Sequence, residues 1–164
     1  MTYHTSLLED WIEQLYKKIG VYRPEQLDYR DIAKKLNIRL TYLEMTSRLF
    51  KDLVIIDSRL TSEEQFEDFA HEACHILRHA GNHMIIDNLF LELQEAQAKH
   101  FVYHFCVPTF MLRKLNFYKS RKETVYLIAS TFKVTYQLAD KRLRLYENKL
   151  SYQRFVSSTL GKAQ

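Results

Sequence analysis

The chain has 164 residues, 46% of them hydrophobic and 27% charged, which is enough apolar material for one domain, or one domain with a small helical appendage. Three glycines and two prolines argue against a many-turned β-sandwich, and two cysteines, Cys74 and Cys106, exclude a disulfide scaffold. No window reaches the roughly 18 apolar residues of a membrane span and no leader peptide is visible, so the expectation is a cytoplasmic protein with no membrane partner.

The net charge of +4 is unevenly spread, because lysines and arginines gather after Pro108 where acids are few. Such a half can meet nucleic acid or an acidic protein surface, or be an ordinary solvated helix face.

Leu8, Trp11, Ile12, Leu15 and Ile19 recur at helical spacing, and Gly20 stops the run. Pro24 is expected to open a second helix carrying Leu27, Ile32, Ala33 and Leu36, ending at Asn37. From Ile38 to Leu43 apolar and polar residues alternate, the period of a half-buried strand. A short strand near Arg48 to Phe50, a tight turn at Lys51-Asp52 and a strand at Leu53 to Ile56 complete a small, mainly antiparallel sheet.

Thr61 or Ser62 caps the next helix, with Ser62 to Gln65 fitting a reciprocal capping box, and the helix runs to Gly81. Another spans about Asn88 to Cys106 with Leu89, Leu93, Ala96, Phe101 and Val102 apolar, and Pro108 begins the next segment. Two more helices cover Glu123–Phe132 and Tyr136–Leu150, separated by Lys133-Val134-Thr135. The class is α+β, mainly helical. The expected organisation is a core over 1–110 and a helical extension over 111–164 packed against it.

The informative string is His71-Glu72-Ala73-Cys74-His75. Four helical residues turn through about 400°, so the two imidazoles leave one face only ~40° apart and can grip one ion at ~2.0–2.1 Å. Glu72 lies about 60° beyond His75, placed to take a proton from a water beside that ion rather than to ligate it. A helix of this kind directly after a strand is the zincin-type peptidase arrangement.

A catalytic zinc wants a third protein ligand and an open position. Glu95, twenty residues after His75, and Glu92, about 60° away around the same helix, both qualify, and periodicity does not choose between them. The extended pattern with a third histidine after a glycine is absent, which favours a carboxylate.

The series His71-Glu72-x-x-His75-Ile76-Leu77-x-His79, then Glu95-x-x-Ala98-x-x-Phe101, then Pro108, resembles the ImmA/IrrE family of metallopeptidases over roughly residues 30–145. The Leu53–Asp57 strand and the capped helix after it match the family's lead-in. The resemblance implies a zincin-like fold, zinc (or Mn2+ or another divalent ion) held by His71, His75 and Glu95 rather than Glu92, and Glu72 as general base. It also implies a protein substrate: members of the family are associated with cleavage of helix-turn-helix repressors in phages and mobile elements. The chain departs from the family pattern at Cys74, Lys99 and Val102, where Gly, Asn and Ala are common; none of these is an implied ligand.

Cys74 is expected to pack in the core. His79, one turn after His75, either hydrogen-bonds within the site or closes the helix near its negative end. His83 falls in a loop, His4 near a fraying terminus, and His100 and His104 about 140° and 180° from Glu95, facing away from the metal. Tyr103, about 80° from Glu95, is one of several tyrosines available as a transition-state donor.

Ala129 to Thr135, followed by Ala139 and Leu143, has the rhythm of a helix-turn-helix with Lys133 in place of the turn glycine. Direct DNA binding is therefore a further partner expectation, ranked below a hairpin packed on the core. The functional expectation is a site-specific zinc endopeptidase. The alternative is a metal-stabilised regulator that binds a repressor or DNA without cleaving, against which the intact Glu72 speaks.

Overall fold

The computed structural model describes residues 3–78 and 88–160. Helix α1 (Leu7–Lys18) starts from a reciprocal box at Ser6, whose hydroxyl accepts from the Glu9 N–H while the Glu9 carboxylate accepts from the Ser6 N–H at 2.6 Å. Gly20 at φ 73° reverses the chain. The single helix expected after Pro24 is two pieces, a 3-10 turn over Pro24–Gln26 and α2 (Tyr29–Lys35). Asp28 separates them because its carboxylate takes the Arg30 N–H at 2.8 Å and restarts the helix as its cap. Asn37, at φ 56°, turns the chain out of α2.

Strands β1 (Arg39–Leu43), β2 (Arg48–Phe50) and β3 (Leu53–Asp57) form one sheet in the order β1-β3-β2. The sheet is mixed rather than mainly antiparallel: β1 runs parallel to β3, with Arg39 opposite Leu53, and only β2 is antiparallel to it. The segment 44–47 carries the chain past the central position, and the Lys51-Asp52 turn (Lys51 φ 59°) then brings β3 back between its neighbours. Alternation identifies strands but not their partners. Central β3 is accordingly the apolar one, with Val54, Ile55 and Ile56 buried.

Helix α3 (Ser62–Arg78) is capped by Thr61: its hydroxyl accepts from the Glu64 N–H and the Glu64 carboxylate accepts from the Thr61 N–H at 2.9 Å. The box therefore begins at Thr61 and not at Ser62. Gln65 is freed for another task; buried, it accepts from the Tyr29 hydroxyl at 2.8 Å and donates to the carbonyls of Asp57 and Leu60.

Helix α4 (Asn88–Cys106) packs antiparallel on α3, since Phe66 meets Cys106 at one end and His75 meets Glu95 at the other. Phe69, Phe101, Phe105 and Tyr16 of α1 fill the seam, the Phe101 and Phe105 rings 5.1 Å apart. Among the described side chains of α4, the buried apolar ones are Ala98, Phe101, Val102, Phe105 and Cys106. Leu93, expected inside, is 51% exposed.

After Pro108, the short α5 (Thr109–Leu112) leads to α6 (Arg121–Phe132), capped by Ser120, and to α7 (Tyr136–Leu160). Lys133 between them holds φ 53°, the left-handed geometry a glycine would take more readily. Val125, Ile128, Phe132, Leu138 and Leu143 from these helices join the same apolar core as α3 and α4.

A buried polar network ties the two ends of the chain together. The Glu9 carboxylate, 3% exposed, accepts from the hydroxyls of Tyr3 (2.6 Å) and Thr109 (2.7 Å) and from Lys149 of α7. Fully buried Arg142 donates to the Val107 carbonyl and to the Thr109 hydroxyl at 2.7 Å. His4 is tied down as well, because Gln153 accepts from its N–H and donates to its carbonyl.

Candidate metal centre

Asp57 at the end of β3 accepts from the Arg59 N–H and its guanidinium, which bends the chain into the Thr61 cap and aims α3 across the sheet. The helix buries Phe66, Phe69, Ala70, Ala73 and Cys74, so residues one face round, His71 and His75, are left on the side that meets α4. Their side chains are 25% and 13% exposed. Opposite them stands Glu95, 51% exposed on α4 and three residues before buried Ala98.

The three side chains converge. The Nε2 atoms of His71 and His75 are 3.3 Å apart, and the Glu95 carboxylate spans them, with Oε2 3.3 Å from His71 and Oε1 3.3 Å from His75. Ligands at ~2.0–2.1 Å around a tetrahedral ion are separated by about 3.3–3.4 Å, so the imidazole pair has the spacing of two corners, and the donor atoms of all three side chains lie within 4.8 Å of one another. The exposed side of Glu95 leaves the fourth direction toward solvent. Among the described residues this is the cluster of histidine, cysteine and acidic side chains whose donor atoms lie close enough to share an ion. Glu92, exposed on α4, is not part of it.

Glu72 points to the sheet side of the same helix turn, half-buried beside the main chain of Leu49 in β2. Burial pushes its carboxyl up to about 7, and the like charges of Asp68 and Glu95 act in the same direction, whereas the Leu49 backbone and Arg48 oppose them. A dication between the imidazoles and Glu95 would add a further opposing charge.

The remaining sequence candidates divide cleanly. Cys74 is fully buried in the core and burial pushes its thiol up to about 11, so it is a packing residue. His100 and His104 meet edge to face, and His104 approaches the Glu9 network, away from the centre. His79, His83, Gly81 and the end expected for α3 lie outside the described residues. Tyr103, one helical face round from Glu95, lines a cavity together with His71.

Sequence reasoning missed the other side of that cavity. Thr135, Gln137, Leu138 and Lys141, at the start of α7, stand across from Asp68 and His71 of α3 and from Lys99 of α4. The α6–α7 turn is pinned there by the Thr135 N–H, which donates to the Glu67 carboxylate at 2.8 Å. Asp68 was findable, three residues before His71 and so ~60° away on the helix. A contact between residues 67 and 135 leaves no local signature.

Two imidazoles and one carboxylate from a helix pair beside an edge strand form a group that could hold a metal ion. Residues 24–144 match the model of the IrrE N-terminal-like domain family of peptidases, and the chain belongs to that family. It is 42% identical over 150 residues to the phage-like element PBSX protein XkdA of Bacillus subtilis (strain 168), an alignment covering 89% of this chain and 76% of that one. It is also 41% identical over 165 residues to the protein YqaB of the same organism, covering 98% and 96%. The family is generally metal-dependent, and the resemblance read from the motif series is borne out. No helix among the described residues is long and apolar enough to cross a membrane.

Proposed function

We propose that the chain is a zinc-dependent, site-specific endopeptidase, acting in the cytoplasm on a protein substrate of the helix-turn-helix repressor class. The observation that carries the reading is the convergence of His71, His75 and Glu95, the imidazole nitrogens 3.3 Å apart and each 3.3 Å from one of the two Glu95 oxygens, with Glu72 one residue from His71 and held at the sheet edge. A purely structural metal site has no use for that carboxylate. Two imidazoles and a carboxylate suit zinc, while Mn2+ or another divalent ion is the alternative that metal analysis of the purified protein decides.

When bound, the ion supplies Lewis-acid polarisation of the scissile carbonyl and makes a neighbouring water more acidic. Glu72 accepts the proton of the attacking water and delivers it to the leaving amine. Strand β2 pairs with β3 on one side, and its other side has no partner strand among the described residues. An extended substrate can add there through main-chain hydrogen bonds, passing Leu49 and hence Glu72.

The likeness to a phage-like element protein supports a repressor as substrate. The basic C-terminal half offers less support for direct DNA binding than its composition suggests. Arg142 is buried, Lys149 pairs with Glu9, and Arg121 and Arg144 pair with Asp140. Moreover, the first turn of α7, the part a recognition helix would present to bases, faces the cleft beside His71.

The test is co-expression of the chain, or its Glu72→Gln variant, with the repressor encoded beside it. Cleavage by the wild type, lost in a variant that still carries one zinc per chain, is the expected result. A repressor that binds both proteins and is cut by neither would establish the non-cleaving regulator instead.

A further inference from the structure

Beside the metal centre lies a cavity of about 240 Å³, smaller than the roughly 300–1,000 Å³ of small-molecule sites and scaled to one or two side chains of a peptide. Its walls come from three helices. His71 and Asp68 of α3 form one side, Lys99 and Tyr103 of α4 the second, and Gln137 and Lys141 of α7 the third, over a floor of Val102 and Leu138.

The lining holds two lysines, Lys99 and Lys141, and two carboxylates, Glu67 and Asp68, but these charges are not paired with one another. Lys99 and Lys141 are exposed, and neither has an ion-pair partner among the described residues. Of the two acids, Glu67 turns its carboxylate onto the Thr135 N–H at 2.8 Å, and neither Glu67 nor Asp68 lies within ion-pair distance of either lysine. The cavity also opens from the first turn of α7, whose N–H groups carry partial positive charge.

We propose that this cavity is the specificity pocket of the peptidase, receiving an aspartate or glutamate side chain of the substrate next to the scissile bond, with Lys99 and Lys141 as its charge readers. The inference rests on the endopeptidase reading and deepens it. The C-terminal helices then have a defined part in the reaction: α7 supplies the selective wall while α3 and α4 supply the chemistry. A carboxylate entering beside His71 meets two unpaired ammonium groups and an apolar floor, whereas a lysine side chain meets like charge from both walls.

Two measurements separate the failure of this inference from the failure of the peptidase reading. In the first, zinc-loaded full-length protein is incubated with a proteome-derived peptide library, to which peptides tiling the repressor encoded beside its gene are added. Cleavage sites are then read by mass spectrometry. Wild type is expected to enrich aspartate or glutamate at one position flanking the cut. Lys141→Glu, and independently Lys99→Glu, should remove that enrichment and admit lysine or arginine. KM for the best acidic peptide should rise about tenfold with kcat little changed. Arg154→Glu, an exposed reversal farther along α7, should leave the profile as it is.

In the second, binding of labelled peptides that differ only in an acidic or basic residue at that position is measured by fluorescence anisotropy. Where the library yields no cut, the series substitutes each position of the repressor peptides in turn. The Glu72→Gln protein should prefer the acidic peptide, and the Glu72→Gln/Lys141→Glu double variant should reverse the order. Cleavage without acidic preference, or an order of binding that ignores Lys141 and Lys99, overturns the pocket and leaves the peptidase standing. Absence of any cut by zinc-loaded wild type overturns the peptidase, and the anisotropy series then decides the pocket by itself.

Discussion

Replacing Glu9 by glutamine should destabilise the whole chain, although Glu9 sits on the first helix and far from the chemistry. Its carboxylate is 3% exposed and accepts from Tyr3, Thr109, the Ser6 N–H and hydroxyl, and Lys149. A glutamine keeps one acceptor oxygen and turns an amide donor toward groups that also donate, so at least one hydrogen bond to a charged group is lost, at about 1.5–3 kcal/mol each. Lys149 is 27% exposed and can swing into water. Arg142 is fully buried and cannot, and it keeps its charge with the compensating carboxylate removed. Breaking a buried charge arrangement in this way costs about 3–5 kcal/mol, to be set against a total stability of about 5–15 kcal/mol. Urea unfolding at pH 7 should show a lower midpoint at unchanged slope, and Tm should fall by about 10 °C. A change below about 1 kcal/mol would mean that the network is incidental and that α7 is held by apolar packing alone.

The same network sets a pH dependence: burial pushes His104 down to about 3, with Arg142, His100 and Lys149 lowering it further against Glu9. Burial alone would raise Glu9, yet hydrogen bonds from Lys149, Tyr3, Thr109 and Ser6 hold it far below the usual carboxylate range. The unfolded chain binds protons that the fold refuses at both sites, so urea midpoints should be flat near neutrality, decline below pH ~6.5 and fall more steeply below ~4.5. Lys133→Gly removes a β-carbon from a residue at φ 53° and should raise stability by about 0.5–1 kcal/mol in the same assay; a loss would show that the lysine side chain contributes more than its backbone strain costs. Glu95→Ala should weaken zinc affinity by at least about a hundredfold and abolish the rise in Tm that excess zinc gives the wild type, whereas Glu92→Ala should do neither. Tyr103→Phe should lower kcat by about a hundredfold with zinc retained if its hydroxyl faces the charge that develops at the scissile carbonyl; an unchanged kcat would assign it to packing.

The legibility of each feature in the sequence depends on how local its information is. The imidazole pair is legible because helix geometry alone brings positions 71 and 75 together, and the Glu95 partner because a family motif supplied what periodicity left open between 92 and 95. The direction of β1 relative to β3 was not legible, since alternation of Leu40 and Tyr42 against Arg39 and Thr41 is the same for either partner direction. Nor was the cap of α3, where Thr61-x-x-Glu64 and Ser62-x-x-Gln65 present the same pattern one residue apart. Only the three-dimensional demand for Gln65 at Tyr29 separates them. The α7 wall of the cleft depends on a hydrogen bond spanning 68 residues, beyond any window reading.

That wall also connects the stability argument to the functional one. Lys141, exposed to the cleft, is followed immediately by Arg142, fully buried and bonded to Val107 and Thr109 at the end of α4 and the start of α5. One residue lines the cleft while the next is clamped to the scaffold that carries Glu95. Seven residues on, Lys149 is joined to Glu9 of α1. The cleft-facing side of α7 is thus held in register with the His71, His75 and Glu95 cluster from behind, by polar contacts whose geometry is directional. Loosening the network should therefore blur substrate preference before it touches metal affinity, since His71, His75 and Glu95 belong to the α3–α4 pair, which has its own aromatic seam. An Arg142→Met variant at a temperature where it remains folded is the cleanest case: zinc content near one per chain with a broadened cleavage profile is the expected combination. Loss of zinc at unchanged preference would mean that the two helical layers are not coupled in this way.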